Sequence, residues 1–131
     1  MSKSTGITTE QLEALCSGWP GVSSDVKWGD ERVYSVANKM FVLTRNAPGP
    51  AKSLFFKVPD ERFLELTDQP GILPAPYLAR HHWVLIDQPQ RFVRAELERF
   101  IYDSYLLVRA KLPKKIQAGL VPLPTLPTRA K

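Results

Sequence analysis

Few residues in this chain are of a type and spacing that could do chemistry. His81 and His82 are adjacent, inside the stretch "PAPYLARHHWVLI" at 74–86. Neighbours on a strand point to opposite faces, so the pair is not arranged to grip one metal ion. The chain has two histidines and one cysteine, Cys16, short of the ligand sets that zinc or iron needs. No metal site and no cofactor are expected. Cys16 shares a helical face with Leu12 and Leu15 and reads as a small buried hydrophobe. No lysine, arginine or histidine lies nearby in sequence to activate its thiol.

Nucleophilic catalysis fares no better. Ser104 lies in the apolar stripe of the last helix, where a serine commonly bonds the carbonyl one turn back. No G-x-S-x-G elbow is present. "GWPG" (18–21) and "APGPA" (47–51) lack the glycine pattern of a phosphate-cradling loop. No catalytic residue is assigned, and the chain reads as a protein without enzymatic activity.

Charge is the more informative property. Residues 1–70 carry eight Lys/Arg against nine Asp/Glu, a net of −1, whereas residues 71–131 carry ten against four, a net of +6. Such a gradient favours an acidic partner, nucleic acid above all, although a solubilising tail has the same composition. The candidate phosphate contacts are Lys39, Arg45, Lys57, Arg80, His81, Arg91, Arg94, Arg109 and Lys111, with Lys52, Lys114 and Lys115 as further cations. Trp28, Trp83 and Tyr77 could stack bases, but in a small domain large rings are core material first. No zinc finger, basic zipper or RNP1 pattern appears, so phosphate contact is expected to outweigh base reading.

The elements that must position these residues follow from local signals. Thr8 and Gln11 stand at capping-box spacing and start a first helix, which "GWPG" stops. Runs at 24–28, 32–36, 40–44 and 53–58 are rich in β-branched and aromatic residues; their tight spacing demands antiparallel hairpins. "PDERFLEL" (59–66) predicts a short helix with Phe63 and Leu66 inward, and "HWVLI" (82–86) a fifth strand. From Pro89 to about Leu112, Val93, Leu97, Phe100, Ile101, Ser104, Leu107 and Val108 form one helical stripe. Arg91, Glu98, Tyr102 and Arg109 fall on the opposite side, and the Lys111 stem lies over the core with its ammonium in water.

The order is α-β-β-β-β-α-β-α, an α+β fold with an antiparallel sheet of about five strands packed against helices. One domain over 1–116 and a proline-rich, flexible tail over 117–131 are expected. The absence of an apolar run long enough for a leader or a membrane span makes a cytoplasmic protein the default.

Several motifs in combination carry a family resemblance: "C-x3-PG" from Cys16, "W-G" at 28–29, "K-M-F" at 39–41, "PYL…HWV" at 76–84 and "SY-x-L-V-x-x-K-L-P" from Ser104. Over about residues 8–115 the chain resembles the MmcQ/YjbR family of small bacterial proteins. The resemblance implies a CyaY-like, secretion-chaperone-like fold and a "double wing" mode of DNA binding, with no known activity or cofactor. The recurrent family residues it carries over are Trp28, Gly29, Lys39, Met40, Phe41, Lys57, Pro76, Tyr77, Trp83, Ser104, Tyr105 and Lys111. His82 belongs to that pattern and His81 does not. The expected partner is DNA, bound by a monomer or weak dimer without membrane association. The alternatives are a protein- or peptide-interaction module and a small-molecule pocket around Tyr77, His82, Trp83 and Lys57.

Overall fold

The structure, a computed structural model, describes residues 4–120. Helix α1 (Thr9–Ser17) is followed by strands β1 (Val22–Lys27), β2 (Glu31–Val36), β3 (Lys39–Arg45) and β4 (Leu54–Lys57). A 3₁₀ turn at Asp60–Arg62 leads into the short helix α2 (Phe63–Thr67), and β5 (Leu73–Pro74) and β6 (Trp83–Ile86) complete the sheet. Helices α3 (Arg94–Ala110) and α4 (Lys114–Ala118) close the described chain. The fold is α+β, with all strands antiparallel in the order β1-β2-β3-β4-β6-β5.

Two elements exceed the sequence expectation. Strand β5 is only two residues long and pairs with β6 through Leu73 and Pro74, in a stretch to which the sequence reading assigns no strand. Helix α4 begins just after Pro113, a residue suited to a helix start, and crosses the expected domain boundary at 116. Leu120 is buried beyond it; the remainder of the expected tail, 121–131, lies outside the described residues.

The start of α1 is the expected capping box. The Gln11 amide donates to Thr8 Oγ1 at 3.0 Å and the Thr8 amide donates to Gln11 Oε1 at 2.9 Å. Leu12 and Cys16 then point into the main core.

One sheet face receives α1 and α3. Tyr34, Val42, Phe56 and Val84 stand side by side across four strands and are all buried there. Strands β2 and β3 do not keep simple alternation. Tyr34 pairs with Val42 but Ser35 with Met40, leaving Phe41 as an extra residue. The bulge turns both Phe41 and Val42 into the main core. Phe41 and Trp19 pack around Tyr105 of α3, with ring centroids 5.4 and 5.0 Å away.

Among the described residues, no α-helix covers the other face. Val33, Leu43, Phe55, Leu85 and Leu73 form an apolar row across it. Trp83, Ala75 and Leu78 add to this second cluster, so Trp83 is core as expected, on the side away from α3.

At the outer edge, β1 is almost wholly exposed. There the Val26 amide is occupied by the carboxylate of its own neighbour, Asp25, at 2.8 Å.

Helix α3 departs from its predicted faces. Leu97, Ile101 and Ser104 are buried as expected, but Glu98, Tyr102 and Arg109 are buried too. The physical reason is a second neighbour: the turn after α1 covers that side, with Trp19 5.5 Å from Tyr102 and the Pro20 carbonyl accepting the Tyr105 hydroxyl at 2.7 Å.

Candidate nucleic-acid interface

Three of the predicted cations meet at one end of the sheet. Lys39 opens β3, Lys57 closes β4 and Lys111 follows α3; together they line a cavity of about 210 Å³ walled by Val108, Leu112 and Pro113. Antiparallel pairing of β3 with β4 brings the first two together, and Ser104 brings in the third. Its hydroxyl donates to the Phe41 carbonyl at 2.6 Å and accepts the Lys57 amide at 2.9 Å. Ser104 therefore bonds across to the sheet rather than back along its own helix, because the bulge at Phe41 gives it a carbonyl to satisfy.

Burial holds the Lys57 ammonium below the ordinary lysine range, nearby Asp60 opposes that shift, and Lys111 adds to it. An anion seated beside Lys57 would favour its charged form.

The segment 76–82 borders this cluster. It is not a strand entry: Ala79–His81 form a 3₁₀ turn and His82 adopts a left-handed conformation with φ 63° before β6 begins at Trp83. The histidines are thus separated by backbone geometry rather than by strand alternation. His82 Nδ1 lies 2.6 Å from Asp60 Oδ1 and its ring packs edge-on against Phe63 at 5.2 Å. The His81 carbonyl accepts the Lys57 ammonium at 2.6 Å. The His81 and Arg80 residues are exposed. Among the described residues, no group of three or more His, Cys, Asp or Glu could hold a metal ion.

The remaining predicted contacts do not join this cluster. Arg109 is 7% exposed and donates to the Tyr105 hydroxyl at 3.0 Å, so it supports the core rather than a surface. Arg94 is partly buried and donates to the Gly6 carbonyl at 3.2 Å, anchoring the N-terminal segment. Arg91 is exposed in the turn before α3. A helix of 17 residues places Arg94, at its start, about 25 Å from Lys111. Arg45 sits at the far end of β3 and faces Asp30 and Glu31 at 3.8 and 3.9 Å. A hollow of about 580 Å³ near it carries both signs, Glu10 and Glu13 with Arg32 and Arg45, and selects neither charge.

The helix-free face holds a feature that the sequence reading missed. Trp28 and Tyr77, expected in the core, are 67% and 98% exposed. They border an apolar groove of about 560 Å³ whose floor includes Met40, Leu43 and Phe55 and whose wall is Pro76, Tyr77 and Leu78. Of the residues expected to form a small-molecule pocket, only Tyr77 lines this groove. Glu31 supplies its carboxylate, raised above the usual range chiefly by burial, with Arg45 opposing. Both aromatics have positive φ, 51° for Trp28 and 67° for Tyr77. Their signals in sequence are the neighbouring Gly29 and Pro76, which mark turns rather than buried strands.

Residues 17–107 match the family model described as YjbR. No curated protein matches the chain. Among solved structures, the chain is similar to the crystal structure of Deinococcus radiodurans protein DR2400, of family-model domain DUF419. The two are 26% identical, with 95% of this chain and 94% of that one covered and a TM-score of 0.77.

Proposed function

This chain belongs to the YjbR family, and from that premise we propose that it binds DNA, mainly through its phosphates and without catalysis. The observation that supports this reading is the meeting of Lys39, Lys57 and Lys111 around one cavity with no carboxylate in its lining. Cations from three separate elements, gathered where an anion would offset their repulsion, suit a backbone phosphate. Arg80, exposed on the neighbouring turn, extends the positive surface. Arg109 is left out of the interface because it is buried.

The test is a mobility-shift titration on duplex DNA at several salt concentrations. Affinity should fall steeply and linearly in log–log form as salt rises. Replacing Lys39, Lys57 and Lys111 by Gln should flatten that dependence. No shift at low salt would sink the reading. Among the described residues, no helix is long and apolar enough to cross a membrane.

A further inference from the structure

We infer that the groove between Trp28 and Tyr77 receives an unpaired nucleobase, which makes single-stranded nucleic acid a preferred ligand. This rests on the DNA-binding reading and adds to it a base-holding site on the helix-free face. Trp28 and Tyr77 are large apolar rings left in water, at 67% and 98% exposure. Both also hold backbone conformations that cost a bulky residue energy, with φ 51° and 67°. Tyr77 gains almost no burial in return, so folding gives no account of its ring.

The groove beside them measures about 560 Å³, within the range of sites that enclose small planar molecules. Its surface is mostly apolar, through Met40, Leu43, Phe55 and Leu78. Such a surface suits a ring face, and every base has one.

Among the described residues, the one charged residue lining the groove is Glu31, beside Trp28; the cations lie beyond the Tyr77 wall, and it is on that side that a polyanion carrying the ring would run. The groove wall, residues 76–78, continues directly into exposed Arg80 and His81. Lys57 stands opposite Trp83 in register, and its ammonium donates to the His81 carbonyl in that same segment. An exposed aromatic ring, Tyr77, and an exposed cation, Arg80, therefore lie on one short piece of chain to which Lys57 is bonded. A strand whose phosphates follow the lysines would bring a base to the groove, and in a duplex that base is paired and unavailable.

The experiment uses the full chain with three probes: a poly-dT oligonucleotide, the same backbone with abasic sites, and a duplex. Trp83 is buried in the cluster that holds the groove residues Leu43 and Leu78, so the emission is read in the native chain and in Trp28→Phe, and the difference belongs to Trp28. Poly-dT should quench that emission and the abasic strand should not. Tyr77→Ala should weaken poly-dT binding roughly ten-fold and leave the abasic strand and the duplex unaffected. Equal affinity for poly-dT and the abasic strand, with salt-dependent binding to both, would overturn the base site and leave the phosphate reading intact. Failure of all three probes to bind at low salt would remove both readings. An apolar peptide that quenches Trp28 where poly-dT does not would assign the groove to a protein partner and likewise overturn the inference.

Discussion

Ser104 and Lys57 are joined by one hydrogen bond, the Lys57 amide donating to the Ser104 hydroxyl at 2.9 Å. The same hydroxyl donates to the Phe41 carbonyl at 2.6 Å. One side chain thus satisfies two backbone groups of different strands and clamps α3 to the sheet end where the lysines meet. Ser104→Ala leaves both groups without their partner and should lower stability by about 1–3 kcal/mol, read as a shift of the urea midpoint at unchanged slope.

Salt dependence provides an internal count of phosphate contacts. Lys39→Gln and Lys111→Gln should each reduce the magnitude of the duplex-DNA slope, log affinity against log salt, by about 0.9. Arg109→Gln, which removes the charge, should leave the slope unchanged, because Arg109 is buried against Tyr105.

Alkaline pH should expose the contribution of Lys57. Burial lowers its ionisation point below the ordinary lysine value of 10.5, so its charge is lost at a lower pH than that value. DNA affinity should begin to decline before that value is reached, and Lys57→Arg should remove the early part of the decline, since a guanidinium stays charged. The folding sign is the reverse. The native state disfavours charged Lys57, so this residue's penalty is full at low pH and relieved as pH climbs through the lowered value. Parallel titrations of binding and of urea stability distinguish the two trends.

At Tyr77 the proposed base site and the stability of the fold make opposite demands. Its ring is 98% exposed and its φ is 67°, so Tyr77→Gly forfeits little packing and relieves a left-handed conformation. Stability should rise by about 1 kcal/mol while poly-dT affinity falls. A stability loss would show that the ring contributes to the fold.

Cys16 should be chemically silent in the native protein. It is fully buried, and burial pushes its thiol well above the usual range, with Glu13 adding to the shift. Labelling by a thiol reagent should proceed only through opening of α1 and should accelerate with urea.

The strands and α1 could be read from the sequence because their signals are local. The Thr8–Gln11 box and the β-branched runs act over a few residues. Arg109 shows where local reading stops. A helical stripe assigns one buried face, but α3 meets the sheet on one side and the Trp19–Pro20 turn on the other. Size alone assigns Trp28 and Tyr77 to the core; only their turn conformations hold them outside. The lysine cluster needs strand pairing to become visible, since Lys39, Lys57 and Lys111 are far apart in sequence. Ser104 needs the bulge at Phe41, which no alternation pattern reveals.

The edge of the sheet bears on how these molecules behave when concentrated. Val26 is an edge-strand residue whose amide is already taken by the Asp25 carboxylate at 2.8 Å. A copy arriving to extend the sheet would have to displace that carboxylate and meet the charge of Lys27 beside it. The opposite edge offers only Leu73 and Pro74, too short a rail for a new strand and with one residue lacking an amide hydrogen. Growth of the sheet from molecule to molecule, the first step toward fibres, is therefore disfavoured at both ends.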